Sequence, residues 1–251
     1  MSASGPDVPP DAPGSPADGA DDALRAVRRD AYENDRPDVR RMVPASARRI
    51  LDLGCSSGAL GAALKAAVPG REIVGLELDP AYAATARGRL DRVETVDLER
   101  ALATPEDARA LAGDGYDCVI AADVLEHLRE PWVALASAVA LLRPGGAVVV
   151  SLPNVRYWET FWTLARHGTW PRSEAGIFDA THLRWFTLGD AMNLLADAGA
   201  PIGPVDRDVL RVMKVHPWKP HRIDRRLPRI APRGVRAFLT YQHVLVGTKP
   251  A

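Results

Sequence analysis

Between residues 48 and 152 the chain alternates short apolar runs with helical stretches, and few folds accommodate that rhythm. The apolar runs are "RRILDL" (48–53), "EIVGLEL" (72–78), "VETVDL" (93–98), "YDCVIAA" (116–122) and "AVVVSL" (147–152). Helix candidates fall between them at 58–67, 81–90, 105–112 and 131–142. Runs this apolar read as strands buried on both faces. Strands alternating with helices predict a parallel sheet covered on each side. No internal repeat is visible.

The flanks differ. Residues 1–22, "MSASGPDVPPDAPGSPADGADD", offer almost nothing to bury and read as a disordered tail; an acidic interaction arm is the rival reading. Residues 23–251 read as one domain, a size at which a single α/β core is ample. From Leu24 the sequence looks helical, broken at Pro37 and closed by Pro44. After Pro153 the βα rhythm stops. "NVRYWETFWTLARHG" is an aromatic-rich helix candidate whose Tyr157, Trp158, Phe161 and Trp162 are expected in the core of a lid helix rather than as a stacking platform. A loop follows, then Thr187 and Asp190 form a capping-box pattern before a helix ended by Gly199. The end, "AFLTYQHVLVGTKP", reads as a long final strand.

The 32 Lys and Arg balance the 32 Asp and Glu, so global charge points to neither nucleic acid nor membrane. Two cysteines, Cys55 and Cys118, make no disulfide framework and fit a reducing, cytoplasmic setting. No apolar run is long enough to span a bilayer, and the N-terminus lacks a secretory h-region.

The first apolar run opens into "LDLGCSSGALG" (51–61), a D-x-G-x-S-x-G loop leading into a helix. Gly54 and Gly58 let the backbone turn sharply near a ligand, and the following helix presents its N-terminal amides. A dinucleotide fingerprint would read G-x-G-x-x-G. Here Asp52 stands two residues before the first glycine, where it would repel a diphosphate and favour a ligand with an ammonium and hydroxyls. Glu77 ends the second run and can accept both hydroxyls of a ribose. Asp97 ends the third and can accept from an adenine amino group. Acids after three successive strands are a constellation; any one alone could be a helix cap.

These pieces resemble the class I S-adenosylmethionine-dependent methyltransferases. The resemblance is carried by the glycine loop, "GLELDP", "VDLE", "YDCVIAADVLEHL" and "LLRPGGAVVVSLPN", in that order, over roughly 45–155. It implies a Rossmann-like sheet of seven strands in order 3-2-1-4-5-7-6, with strand 7 antiparallel and a lid insertion after strand 5, at about 154–186. Strand 7 would be the final run and strand 6 would lie at 202–210. It also implies S-adenosylmethionine as cofactor, held at the methionine moiety by Asp52, Gly54, Ser56 and Gly58, at the ribose by Glu77 with Leu78, and at adenine by Asp97 with Leu98. Asp123, ending the fourth run, would sit near the sulfonium. Tyr32 and Arg36, on a helix lying over the cofactor, would reach its amino-acid end, or else mark a surface helix with one buried tyrosine. Ser56 stands where the family often has glycine; a site needing only a small residue there is the preferred reading.

For the chemistry, methyl transfer needs an in-line nucleophile and, for an amine or hydroxyl, a proton acceptor. No metal is required. The candidates are His182, in "FDATHLRWFT", as general base, with His127 and Asp123 beside it. His182 could equally pin the lid to the core. D-x-x-E-H at 123–127 resembles the E-V-x-E-H of ubiquinone-biosynthesis O-methyltransferases, where those groups have been assigned a divalent metal; a hydrogen-bonded corner is the simpler reading of Glu126 and His127. Asn154 and Arg156 are candidates for the acceptor pocket. Residues 207–236 hold ten Lys/Arg against two Asp, either a solvated surface or a means of steering an anionic or carrier-bound acceptor. The expected activity is methyl transfer to oxygen or nitrogen of a small molecule, a sugar or secondary metabolite leading. A non-catalytic methyltransferase-fold binding protein and an NAD-dependent oxidoreductase are the rivals.

Overall fold

The computed structural model describes residues 33–203, the backbone of 209–212, and 232–251. The tail at 1–22, Tyr32 and most of the basic stretch at 207–236 lie outside the described residues. The strands are β1 (Arg49–Leu53), β2 (Glu72–Glu77), β3 (Arg92–Thr95), β4 (Tyr116–Ala122), β5 (Leu142–Pro153), β6 (Val209–Val212) and β7 (Gln242–Thr248). They form one sheet in order β3-β2-β1-β4-β5-β7-β6. β1 to β5 are mutually parallel, whereas β7 runs antiparallel to both β5 and β6. The helices are α1 (Pro37–Arg40), α2 (Ala59–Ala67), α3 (Pro80–Arg87), α4 (Leu98–Ala101), α5 (Pro105–Ala112), α6 (Pro131–Ala140), α7 (Trp158–His167), α8 (Leu188–Asp197) and α9 (Arg233–Leu239), with a 3₁₀ turn at Leu125–His127.

Side chains alternate along a strand, so each central strand feeds two cores. Leu51, Leu53, Val119, Ala121, Val148 and Val150 pack with Ala134, Leu135 and Ala138 of α6 and Leu194 and Leu195 of α8. Ile50, Cys118, Ile120 and Val149 face the other way, onto Leu60 and Leu64 of α2 and Ala83 and Ala86 of α3. Burying each Leu or Ile contributes about 1.5–3 kcal/mol, which is why the central runs carry almost no polar residues. Asp52, buried at the carboxyl end of β1, and Ser151, buried near the end of β5, are exceptions.

Several elements depart from the sequence reading. Asp97 does not end a strand. β3 stops at Thr95, and the Asp97 carboxylate accepts from the Glu99 N–H at 2.9 Å, capping the short α4. Pro37 takes the first position of α1, with residues 34–36 before it not helical, and α1 ends at Arg40, short of Pro44. The "AFL" of the final run belongs to α9, so β7 is shorter than expected. β5 begins at Leu142, before the "RPGG", because a register shift between Tyr116 and Cys118 absorbs the extra residues. The capping box of Thr187 and Asp190 forms as expected.

β7 also passes close under the segment that follows α8. Ile202 bridges to Gly247, and a Cβ on Gly247 would lie 2.1 Å from the Ala200 carbonyl oxygen. Backbone opposing backbone cannot yield as a side chain would. Gly247→Ala is therefore expected to lower unfolding free energy by about 2 kcal/mol or more, read as a fall in the urea midpoint at unchanged slope. An unchanged midpoint would contradict the packing described.

Candidate active site

The carboxyl ends of β1, β2, β4 and β5 lie along one edge of the sheet, where parallel α/β folds bind ligands. The loop after β1 is shaped by three left-handed residues at alternate positions: Gly54 (φ 66°), Ser56 (φ 50°) and Gly58 (φ 78°). The N–H groups of Gly54 and Cys55 both donate to the Leu76 carbonyl, at 2.8 and 3.1 Å, anchoring the loop to the end of β2. A Cβ on Gly54 would meet Val124 at 2.9 Å, so both its conformation and its surroundings require glycine. Ser56 corrects the expectation that only small size mattered. Its backbone is left-handed, at a cost of about 1–2 kcal/mol for a non-glycine residue. Its N–H donates to Glu77 Oε2 at 2.7 Å, which helps hold it there.

Glu77 therefore joins two elements. It also accepts from the Asp79 N–H at 2.9 Å. Burial raises its pKa even against these donors. Asp52 is pushed up to about 7, first by burial and then by the nearby charge of Glu77. Beyond Glu77, the Leu78 side chain is two-thirds exposed (66 %), an uncovered apolar surface at the strand end. Leu98 is buried beneath the Asp97 cap.

A second cluster links the N-terminal segment to β4, β5 and β7. Arg36 grips Asp38 with two parallel bonds of 3.0 Å, donates to Ser151 Oγ at 2.9 Å, and pairs with Asp123. Asp123 also accepts from Ser151 Oγ at 3.1 Å and from Gln242, and Gln242 donates to Ser151 Oγ at 2.8 Å. Both Arg36 (φ 43°) and Asp123 (φ 56°) are left-handed, a strain that this mutual bonding sustains. Burial would lower the Arg36 pKa, but Asp123 and Asp38 outweigh it and raise it. Asp38 itself is held below the usual carboxylate range: burial opposes ionisation, and the Arg36 bonds prevail. Sequence reasoning missed Asp38, Ser151 and Gln242. The position of Ser151 near the end of a strand beside Asp123 was the only available signal.

The third cluster joins the lid to the turn after β4. Glu126 is 1 % exposed, and among the described residues neither of its carboxylate oxygens has a hydrogen-bond partner. Burial, with Asp123 adding to it, raises its pKa well above the carboxylate range. His182 Nε2 stands 4.0 Å from Glu126 Oε1, and the His182 ring meets the His127 ring edge-on with centroids 4.8 Å apart. Burial, then the neighbouring His127, lowers the His182 pKa and favours its neutral form. His127 Nδ1 lies 3.0 Å from Thr181 Oγ1. The Glu126 carbonyl accepts from Leu183 and Arg184 N–H groups at 2.8 and 3.1 Å, fastening the lid to the turn.

The structure thus brings together Glu126, His127 and His182, whose donor atoms all lie within 4.8 Å of one another. Asp123 is engaged by Arg36, Ser151 and Gln242 instead. One carboxylate and two imidazoles are donors that a divalent transition ion accepts. Asn154 does not line a pocket: its amide donates to the Ala237 and Thr240 carbonyls, both at 2.8 Å, tying α9 to the end of β5. Arg156 lies over the Phe238 ring. Tyr157 is buried as expected, whereas Trp158, Phe161 and Trp162 are exposed and form no lid core.

Comparison with known proteins supports the same reading. Residues 51–148 match the family model described as a methyltransferase domain. The chain is 35% identical over 113 residues to trans-aconitate 2-methyltransferase of Methylobacterium radiotolerans, covering 45% of this chain and 41% of that one. It is 32% identical over 125 residues to a ubiquinone biosynthesis O-methyltransferase of Cereibacter sphaeroides, covering 49% and 48%. The chain therefore spans about half the length of the curated relatives it matches. In fold it is similar to a Thermotoga maritima methyltransferase, named as a possible histamine N-methyltransferase, with a TM-score of 0.59 at 19% identity over 92% of this chain and 95% of that one. No helix among the described residues is long and apolar enough to cross a membrane. With the ordered motifs, the sheet and these relatives together, residues 51–148 are similar to a methyltransferase domain, and the fold is similar to that of methyltransferases of known structure.

Proposed function

We propose that the chain transfers the methyl group of S-adenosylmethionine to an oxygen or nitrogen of a small molecule, with a sugar or secondary metabolite the leading acceptor class. The observation that carries this reading is the pair of buried Asp52 and half-buried Glu77 at adjacent strand ends, around a loop with three left-handed residues. In this reading Asp52 and the backbone of Gly54, Ser56 and Gly58 hold the methionine moiety. Glu77 accepts the ribose hydroxyls with the lone pairs its two N–H donors leave free. Leu78, Asp97 and Leu98 flank the adenine. Asp123, held by Arg36, faces the sulfonium, so Arg36 acts by orienting it; Tyr32 is assigned to the cofactor from sequence alone. The two free cysteines, both buried, support a cytoplasmic location.

Transfer is an in-line displacement. The acceptor's lone pair forms a bond to the methyl carbon as the carbon–sulfur bond breaks, and the sulfonium charge is lost. The acceptor proton passes to a ring nitrogen of His182, which burial keeps neutral and receptive. Glu126 stands 4.0 Å away, and since burial favours its neutral form it would balance the resulting imidazolium only by giving up its own proton. His127 sets the His182 ring plane by its edge-on contact.

S-adenosylhomocysteine at a hundred times its dissociation constant should stabilise the folded chain by about 2.7 kcal/mol, a rise in Tm of roughly 5–10 °C. NAD should give no shift, and Glu77→Ala should abolish the S-adenosylhomocysteine shift. A shift with NAD alone would favour the oxidoreductase reading.

The Asp52 titration supplies a pH test. Its folded pKa of about 7 lies above its ordinary value near 3.8. The free protein therefore loses stability as pH rises from about 4 to about 7, where the folded state keeps a proton that the unfolded state releases. The α-ammonium of the ligand's amino-acid end prefers ionised Asp52, so S-adenosylhomocysteine should bind several-fold more tightly at pH 8 than at pH 6, by up to about tenfold per unit below the pKa. Calorimetric titration checks this, and Asp52→Asn should flatten the dependence.

His182→Ala should retain the thermal shift and lose about 10²–10⁴-fold in kcat, measured with any accepted substrate. Normal turnover in that variant would remove His182 from the mechanism. Turnover lost in His182→Ala but kept in Glu126→Gln would assign the base to His182 without its partner.

A further inference from the structure

We propose that the outer face of α7 and α9 is a docking surface for an anionic lipid bilayer. The proposal is independent of the methyl-transfer reading. α7 is a helix that does not bury its apolar side: only Thr160 is buried. Trp158, Phe161 and Trp162, spaced to share one helical face, are 39, 47 and 58% exposed. Phe161 packs on Phe238 of α9 with ring centroids 5.2 Å apart, so the two helices form one ridge. Val235 and Phe238 extend it, 48 and 37% exposed. An aromatic ridge of this kind is uncommon on a surface that faces only water. Trp and Phe on one side of a short amphipathic helix are the side chains that seat at the boundary of headgroups and acyl chains.

Charge selects the bilayer among possible occupants. The Arg156 guanidinium stands over the Phe238 ring, 5.3 Å from its centroid, at the edge of the ridge. Arg166 and His167 close the C-terminal end of α7, and Arg236 lies on α9. Glu159 is the one acid on α7. The described cations beside the ridge, Arg156, Arg166 and Arg236, outnumber that one acid. Aromatic groups for the interface and cations for the headgroups together match an anionic bilayer, each basic group adding attraction within a Debye length. The lid that α7 begins would then lie against the bilayer surface.

Vesicle co-sedimentation of the full chain tests this. The probes are vesicles of phosphatidylcholine alone and of phosphatidylcholine with phosphatidylglycerol, two parts to one, at low and high salt. The expected result is binding to the anionic vesicles only, weakened by salt, with a blue shift of tryptophan fluorescence. The double variant Phe161→Ser/Trp162→Ser should lose at least about tenfold in vesicle affinity with little change in Tm, because both side chains are exposed. Val133→Ser, an exposed apolar position on α6, should bind as wild type. Three outcomes would overturn the proposal. One is no binding to anionic vesicles. Another is binding that the double variant retains, which would place the contact outside the ridge. The third is a wild-type dimer by light scattering that the double variant dissociates while vesicles are ignored, which would make the ridge an interface between copies of the chain.

Discussion

The carboxyl end of β2 holds the site in shape. The Leu76 carbonyl takes two N–H groups from the loop after β1, and the neighbouring Glu77 carboxylate takes a third, from Ser56. These bonds fix a loop in which three alternate residues are left-handed, one of them not glycine. Remove them and Ser56 has little to offset its backbone strain, Asp52 loses its neighbouring charge, and the acids at the two strand ends no longer share a wall. The parallel sheet supplies the rest: with β1 and β2 in register, Asp52 is opposite Gly75 and Leu53 opposite Leu76, which places the loop and Glu77 side by side.

Charge is distributed in tiers around this edge. Asp52 and Glu77 are carboxylates whose burial disfavours their charge, so they gain most from a ligand that brings positive charge. Asp123 has its cation already, in Arg36, and is oriented rather than starved. Glu126 is the extreme case, buried with no hydrogen-bond donor to its carboxylate among the described residues and facing two imidazoles. The lid reaches this third tier through backbone bonds to Glu126, which couples the position of His182 to the turn after β4.

Much of this was legible in the sequence because local rules governed it. The apolar runs gave the parallel strands, since a doubly buried strand tolerates few polar residues. The Thr187–Asp190 capping box was readable from two side chains at fixed spacing. Asp97 misled because an acid after an apolar run is equally a strand end and a helix cap, and only the chain's turn at Val96 decides between them. Ser56 misled because glycine's usual presence can reflect size or dihedral, and sequence does not separate the two. Asp38, Ser151 and Gln242 were invisible for a different reason. Ser151 and Gln242 reach Arg36 and Asp123 through contacts spanning more than a hundred residues, where no spacing rule applies, and Asp38, only two residues from Arg36, joins the cluster through Arg36. Trp158, Phe161 and Trp162 obeyed the pattern of a core helix, and the fold provides no core on that side to receive them.

The most direct test of the account is a crystal structure of the full chain with S-adenosylhomocysteine. The account predicts both ribose hydroxyls within hydrogen-bond distance of the Glu77 carboxylate, the amino-acid end against the loop from Gly54 to Gly58, and the thioether facing Asp123. A nucleoside bound elsewhere, or one whose ribose leaves Glu77 untouched, would contradict it.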